Sequence, residues 1–124
     1  MCCSMRAIIA FAVLLAATPA CAAEPWMVGE RGIIPGDARS ITLHACNSYD
    51  DWLRFEVLRY RENDTEAAIK FLDQHCATTL TGRVVVEQVA KAPSDIPVSA
   101  ALCLRPEGNP VRCLWLDSSW VRRN

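Results

Sequence analysis

The chain has 124 residues, and its 13 Lys and Arg against 14 Asp and Glu give a formal net charge of −1. A chain of this length forms one small domain. Because the charges are nearly balanced, there is no basic excess to hold nucleic acid by phosphate neutralisation, and nucleic-acid binding is excluded.

The first residues have the pattern of a secretory signal peptide. Arg6 precedes an apolar run over 7–17, and small residues follow it as far as Ala22 and Ala23. This order of basic, apolar and small regions predicts export, with a signal peptide at 1–22. The apolar run is too short to cross a bilayer, which takes a helix of about 20 residues. We therefore expect a periplasmic or secreted protein without a transmembrane segment.

Two alternatives stay open in this region. Met5 is as good a start as Met1. Cys21 has a second interpretation, as the lipidated cysteine of a bacterial lipoprotein, which would anchor the protein to a membrane. Thr18 and Pro19 do not fit the lipobox pattern, so we favour export without a lipid anchor.

The remaining chain divides into a leader and a domain. Segment 23–38 is rich in glycine and proline and shows no period, so we expect an irregular leader, partly packed by Trp26, Ile33 and Ile34. Residues 39–124 then form a single small α+β domain.

Four of the seven cysteines remain after export, and they predict two disulfides. Cys103 and Cys113 flank the turn-forming stretch 106–110, and we expect them to lie directly opposite each other in a β-hairpin and to form a disulfide. The two remaining cysteines, Cys46 and Cys76, are then expected to form the second disulfide.

The segment after Cys46 predicts a first helix. Ser48 with Asp51 three residues later has the capping-box pattern, so the helix begins at Tyr49 and runs to about Tyr60. Its apolar residues exceed one stripe, which indicates burial on more than one side.

A second helix follows, from Thr65 to about His75. Asn63 or Asp64 caps it, and its apolar residues share one face. Charged residues occupy the opposite face.

Strands precede and follow the two helices. Segment 39–46 alternates apolar and polar residues, as a half-buried strand does. The three consecutive valines in 83–90 give the strongest strand signal; 98–105 and 111–116 form the hairpin, and 120–123 a short final strand. The predicted fold is a small bent antiparallel β-sheet with two helices inserted after its first strand.

Two histidines lie next to cysteines and suggest a metal site. His44, Cys46, His75 and Cys76 include the element types that bind zinc or copper, but their spacing is poor for one ion. Cys46 and Cys76 are also expected to form a disulfide. We predict no metal ligand, and keep a metal-handling accessory protein using His44 and His75 as a third hypothesis.

Catalytic patterns receive no support. A cysteine nucleophile needs a free thiolate, which export and an even cysteine count argue against. Asp50 and Asp51 lie at a helix start, where carboxylates offset the helix dipole. We find no Gly-rich phosphate loop and no G-x-S-x-G motif. We therefore predict no enzyme, no catalytic residue and no cofactor.

Three residues near the end are candidates for binding. Trp115, Trp120 and Arg122 have the side chains that anchor interfaces when they are exposed. Packing of the tryptophans in the core is the alternative, and the one we favour.

The order of these features resembles a known family. A strand ends in a cysteine ("ITLHAC"), a helical excursion follows ("SYDDWLRF", "NDTEAAIKFLDQ"), and a second cysteine leads into a valine strand ("HCATTLTGRVVVEQV") before a final "SSWVRR". This is similar to the small exported bacterial SH3-like (SH3b) barrels with a helical insertion. Ser119 stands where those domains commonly have a glycine, and the hairpin disulfide is not part of their pattern.

The resemblance implies a binding module for cell-wall peptide or a protein partner, with Trp120 packed near the end of a barrel. We accordingly expect an exported, non-enzymatic binding module of the cell envelope. A small inhibitor or immunity-type protein, directed against a toxin, lysozyme or protease, is the second hypothesis.

Overall fold

The computed structural model describes residues 24–36, 44–76 and 78–124. The predicted signal peptide, Cys21 and most of the predicted strand 39–46 lie outside the described residues. In chain order the elements are β1 (Arg31–Ile34), β2 (His44–Ala45), α1 (Tyr49–Glu56), a π-helix (Val57–Arg61), α2 (Thr65–His75), β3 (Thr78–Thr79), β4 (Gly82–Lys91), β5 (Ala100–Pro106), β6 (Leu114–Asp117), a 3-10 helix (Ser118–Trp120) and β7 (Arg122–Arg123).

Antiparallel pairing organises the strands into a five-stranded sheet with the order β6-β5-β4-β1-β7. A shift of register between Val86 and Gln88 interrupts the pairing of β4 with β5. Such a bulge bends a strand and increases its twist. The strands β2 and β3 form a separate pair, which a bridge from Cys46 to Trp115 joins to β6. The fold is therefore α+β as predicted, with a sheet that does not close into a barrel among the described residues.

Strand β1 corrects the prediction of an irregular leader at 23–38. It lies between β4 and β7, and Ile34 is fully buried in the core. Trp26 packs against the same core, and the guanidinium of Arg123 lies 4.3 Å from its ring centroid. The glycines and prolines around β1 are typical of a loop, and the strands that pair with β1 are distant in sequence.

Gly32 shows why a glycine belongs in this strand. A Cβ built at Gly32 would lie 2.6 Å from Val121 Cγ1 and 3.0 Å from the carbonyl oxygen of Arg122. Only a residue without a side chain lets β7 approach β1 so closely.

Both helices begin at the predicted caps. The hydroxyl of Ser48 accepts a hydrogen bond from Asp51 N at 3.1 Å, and the carboxylate of Asp64 accepts one from Ala67 N at 3.0 Å. These bonds satisfy amide groups that a helix leaves unpaired at its start. α2 has the predicted bounds, and in the described part of the chain no helix is long and apolar enough to cross a membrane.

The first helix changes its geometry after Glu56. Residues Val57–Arg61 form a π-helix, in which Glu62 N donates to Val57 O at 2.9 Å. Asn63, with a φ of 50°, then turns the chain toward α2. The predicted single helix to Tyr60 is thus an α-helix of two turns with a π-helical extension.

The central strand β5 divides the core into two clusters. Leu102 and Leu104 point to a cluster with β1, β4 and Val121, whereas Ala101 and Cys103 point to the helices. Alternate residues of a strand face opposite sides, and both sides of β5 are covered. The second cluster contains the buried aromatic residues Trp52 and Trp115 and both disulfides.

Both predicted disulfides, Cys46–Cys76 and Cys103–Cys113, are present. The predicted register of the hairpin is wrong, because Cys103 lies opposite Trp115 rather than opposite Cys113. Cys113 precedes β6, and the bridge reaches diagonally over a Cα–Cα distance of 5.2 Å.

The leucines explain the observed register. Leu102 pairs with Leu116 and Leu104 pairs with Leu114. This pairing places all four leucines on the side of the first core cluster. A slip to the predicted pairing would lose these matched pairs, so apolar packing sets the register.

Candidate functional site

A cleft of about 570 Å³ lies between the two helices and the end of β6. This is within the range of small-ligand pockets, roughly 300–1,000 Å³. Most of its wall is apolar and comes from both helices and from β6. Both helices and β6 contribute the apolar side chains of Trp52, Phe55, Ala68, Ile69, Leu72 and Leu116, and the 3-10 helix contributes that of Trp120.

Charged side chains also line this cleft. Three carboxyl groups, from Glu56, Asp73 and Asp117, stand against the one guanidinium of Arg59 among the described lining residues. Asp73 and Arg59 are exposed, whereas Glu56 and Asp117 are buried. The cleft therefore has an acidic character that is strongest in its buried part.

Trp52 and Glu56 face the cleft from successive turns of α1. Residues four apart lie on the same helix face, with Cβ atoms about 5–6 Å apart. Each residue is only 2% exposed. Trp52 Nε1 and Glu56 Oε2 are buried polar atoms without a hydrogen-bond partner among the described residues. Within the described chain, an indole donor and a carboxyl acceptor are thus left unsatisfied on successive turns of α1, at a cost of about 1–3 kcal/mol each.

The pKa of Glu56 is raised from 4.5 to about 7, with burial as the largest cause. The nearby charge of Asp117 contributes to this rise, and the guanidinium of Arg59 opposes it. Burial disfavours the charged form of a carboxyl group, and a neighbouring negative charge does the same. Glu56 therefore changes its charge near neutral pH, within the cleft.

Asp117 is held in place by the chain that follows it. It ends β6 and is 8% exposed, and its Oδ1 accepts a hydrogen bond from Ser119 N at 2.9 Å. This bond caps the short 3-10 helix. The second carboxyl group of the cleft is consequently fixed by the backbone.

The π-helix begins directly after Glu56 and carries Arg59. Short π-helical turns are rare and are frequently found at functional sites. Arg59 lies over the ring of Tyr60, 4.8 Å from its centroid, and also lines the cleft. The change of helix geometry thus sets where the one positive charge stands relative to Glu56.

The structure separates the three residues predicted as candidates for binding. Trp120 lines the cleft and is 38% exposed. Trp115 is buried in the second core cluster, with its ring edge-on to Tyr49 at a centroid distance of 5.4 Å. Arg122 is exposed on β7 and is not among the residues that line the cleft. Only Trp120 therefore belongs to this site.

The four residues that suggested a metal site have different structural roles. Cys46 and Cys76 form a disulfide, and the ring of His75 stacks on Phe71 at 4.4 Å. His44 belongs to β2. Among residues 24–36, 44–76 and 78–124, no group of three or more His, Cys, Asp or Glu is arranged to hold a metal ion.

Sequence reasoning missed Glu56 and Asp117, and it did not single out Trp52 as a site residue among the apolar residues of the first helix. A signal for Glu56 exists, since it lies four residues after Trp52 between Phe55 and Val57. A carboxyl group in an apolar stretch, on the face of a buried tryptophan, indicates a buried charge. Asp117 directly follows three apolar residues of a strand, which is a weaker signal of the same kind.

The arrangement can enclose an apolar group and hydrogen bond to a polar one at its buried end. Glu56 can accept a hydrogen bond or titrate, and the indole of Trp52 can donate. Comparison with protein families, with curated proteins and with solved structures finds no match to this chain.

Proposed function

We propose that this protein is a non-enzymatic binding module that takes the apolar part of a ligand into the cleft between its helices and β6. The observation that carries the proposal concerns Trp52 and Glu56, two residues that line this largely apolar cleft. Each has one buried polar atom without a hydrogen-bond partner among the described residues. Native proteins leave few buried polar groups unpaired, and a ligand that pairs with them recovers the cost. Concave apolar sites with a few convergent polar groups are typical of ligand binding.

The side chains of the cleft favour binding over covalent catalysis. The cysteine of the wall, Cys46, has its sulfur in a disulfide, so it is not a thiolate nucleophile. Asp117 is engaged with a backbone amide. Turnover in a hydrolase panel that disappears in Glu56→Gln would overturn the non-enzymatic proposal.

The proposal includes a location in the cell envelope, either periplasmic or secreted. Two disulfides support it, because disulfides persist in oxidising compartments. The signal-peptide pattern of the first 22 residues supports it as well. A relation to the SH3-like exported domains stays a prediction, supported by the order of strand, helices and strands.

A neutral apolar probe tests the cleft. We expect 3-phenylpropanamide to bind, with chemical-shift changes in the backbone NMR signals of Ala68, Leu72 and Leu116. Ala68 is buried in the wall, so Ala68→Met fills the cleft and should weaken binding about tenfold or more.

The matched control is Ala67→Met, at the preceding half-buried position, which is not among the lining residues. We expect this variant to bind the probe as the unaltered protein does. No binding by the unaltered protein, or equal weakening by the two variants, would refute the proposed site.

A further inference from the structure

The charges and the two unsatisfied atoms of the cleft define a ligand class, and this inference rests on the proposed binding function. We infer that the cleft binds the amino terminus of a peptide whose first residue is apolar, with the ammonium group on Glu56, the first carbonyl oxygen on the indole N–H of Trp52, and the side chain in the apolar part of the cleft.

The ammonium group is selected by the acidic end of the cleft. Glu56 and Asp117 are both buried, and Glu56 Oε2 has no donor within the described ranges of the chain. Desolvation and Asp117 make an unpaired charge on Glu56 costly, which is why the pKa of its carboxyl group rises to about 7. A cation removes this cost, since it pairs with the carboxylate and offsets the charge of Asp117.

The neighbouring donor requires an acceptor on the same ligand. Trp52 Nε1 is one helical turn from Glu56 and has no acceptor among the described residues. An indole can only donate. A peptide amino terminus carries a carbonyl oxygen next to its ammonium group, so one ligand end satisfies both residues.

The rest of the cleft fits an apolar side chain. Phe55, Ala68 and Leu72 contribute to the wall, and Ile69 and Trp120 are exposed large apolar side chains among the lining residues. A volume of about 570 Å³ has room for one large side chain together with the backbone of the first residues. A negatively charged ligand is disfavoured, because three carboxyl groups face one guanidinium.

A set of related probes separates these contacts. Phenylalaninamide has the ammonium, carbonyl and apolar groups, 3-phenylpropanamide lacks the ammonium group, and 2-phenylethylamine lacks the carbonyl group. Binding to the full chain is followed by NMR at pH 7, where an α-amino group is mostly protonated. We expect phenylalaninamide to bind about tenfold or more tightly than each of the other two, since charge-assisted and neutral hydrogen bonds have this order of effect.

Two variants assign the contacts to residues. In Glu56→Gln, phenylalaninamide should lose its advantage over 3-phenylpropanamide. In Trp52→Phe, phenylalaninamide should lose its advantage over 2-phenylethylamine instead. Glu66→Gln, which alters an exposed carboxylate of α2 outside the cleft, is the matched control. Thermal unfolding confirms that each variant is folded.

The outcomes distinguish this inference from the proposed function. Equal binding of phenylalaninamide and 3-phenylpropanamide would overturn the ligand class but keep the binding site. If neither probe binds, the ligand class and the proposed binding site are both overturned. The tripeptide amide Phe-Ala-Ala should bind at least as tightly as phenylalaninamide. Acetylation of its amino group should abolish its advantage over 3-phenylpropanamide. A tripeptide that fails where phenylalaninamide binds would rule out a peptide as the source.

Discussion

Trp52 and Glu56 lie one turn apart on the same face of α1, both are 2% exposed, and each has one buried polar atom without a partner in the described part of the chain. Their polarity is opposite, because the indole donates and the carboxylate accepts. Phe55 and Ala68 also line the cleft that both residues face. These two atoms, unsatisfied among the described residues, therefore reduce the stability of the fold at residues that line this cleft.

The pH dependence of stability tests the state of Glu56. Its pKa is raised from 4.5 to about 7, so the folded protein holds the Glu56 proton more tightly than the unfolded chain does. The free energy of unfolding therefore falls as the pH rises from about 4.5 to about 7, and this contribution stays lost above pH 7. We expect Glu56→Gln to remove the decrease.

Relative to the unaltered protein, Glu56→Gln should gain about 3 kcal/mol of unfolding free energy between pH 4 and pH 8. Urea unfolding at the two pH values measures the difference. Glu66→Gln should show no such gain. A Glu56→Gln variant whose relative stability is the same at both pH values would contradict the raised pKa.

Two charge substitutions should move the pKa of Glu56 in opposite directions. Asp117 raises this pKa and Arg59 lowers it. Asp117→Asn should lower the pKa of Glu56 and keep an oxygen that can accept the hydrogen bond from Ser119 N. Arg59→Gln should raise it. Carbon-detected NMR titration of the Glu56 carboxyl group measures both shifts, and shifts of the same sign would refute the assignment of causes.

Gly32→Ala should destabilise the contact between β1 and β7. The added Cβ would meet Val121 and the backbone of Arg122, and overpacking of this kind costs about 1–3 kcal/mol. Gly36→Ala is the matched control, since its nearest contact would be Thr81 Cβ at 4.0 Å. Thermal unfolding compares the two variants. Equal unfolding temperatures would show that β7 shifts to accommodate the added methyl group without loss of stability.

The two disulfides should contribute unequally to stability. By the loop-entropy relation, Cys103–Cys113 closes the shorter loop and contributes about 3 kcal/mol to the free energy of unfolding. Cys46–Cys76 closes the longer loop and contributes about 4 kcal/mol. Paired Cys→Ser substitutions and urea unfolding measure the two values. Loss of Cys46–Cys76 should also weaken probe binding, because Cys46 lines the cleft. The reverse order of stability would contradict the entropic account.

Local signals predicted the helices and cysteine pairing well. Ser48 and Asp64 supply side-chain acceptors at both helix starts, and this chemistry is readable from a few adjacent residues. Strand β1 was missed because its partners, β4 and β7, are distant in sequence and its own residues resemble a loop. The hairpin register was misjudged because the leucine pairs, rather than the cysteines, align β5 with β6.

The site was harder to predict than the fold. Trp120 was identified as a candidate, but Glu56 meets Asp117 only after the sheet and the first helix pack together. Sequence spacing places Glu56 beside Trp52 and says nothing of Asp117. The π-helix after Glu56 has no local signal that we recognise, and it determines where Arg59 stands.

The position of β1 between β4 and β7 has a consequence for the order of assembly. Gly32 pairs with Arg123, which lies near the opposite limit of the described residues. A polypeptide that emerges progressively, amino end first, can join β4 to β5 and close the hairpin disulfide early. It can complete the β1 edge of the sheet only when β7 has emerged. The chain therefore stays incompletely folded until then, and during this interval Ile34 and Val121 cannot both reach their native surroundings.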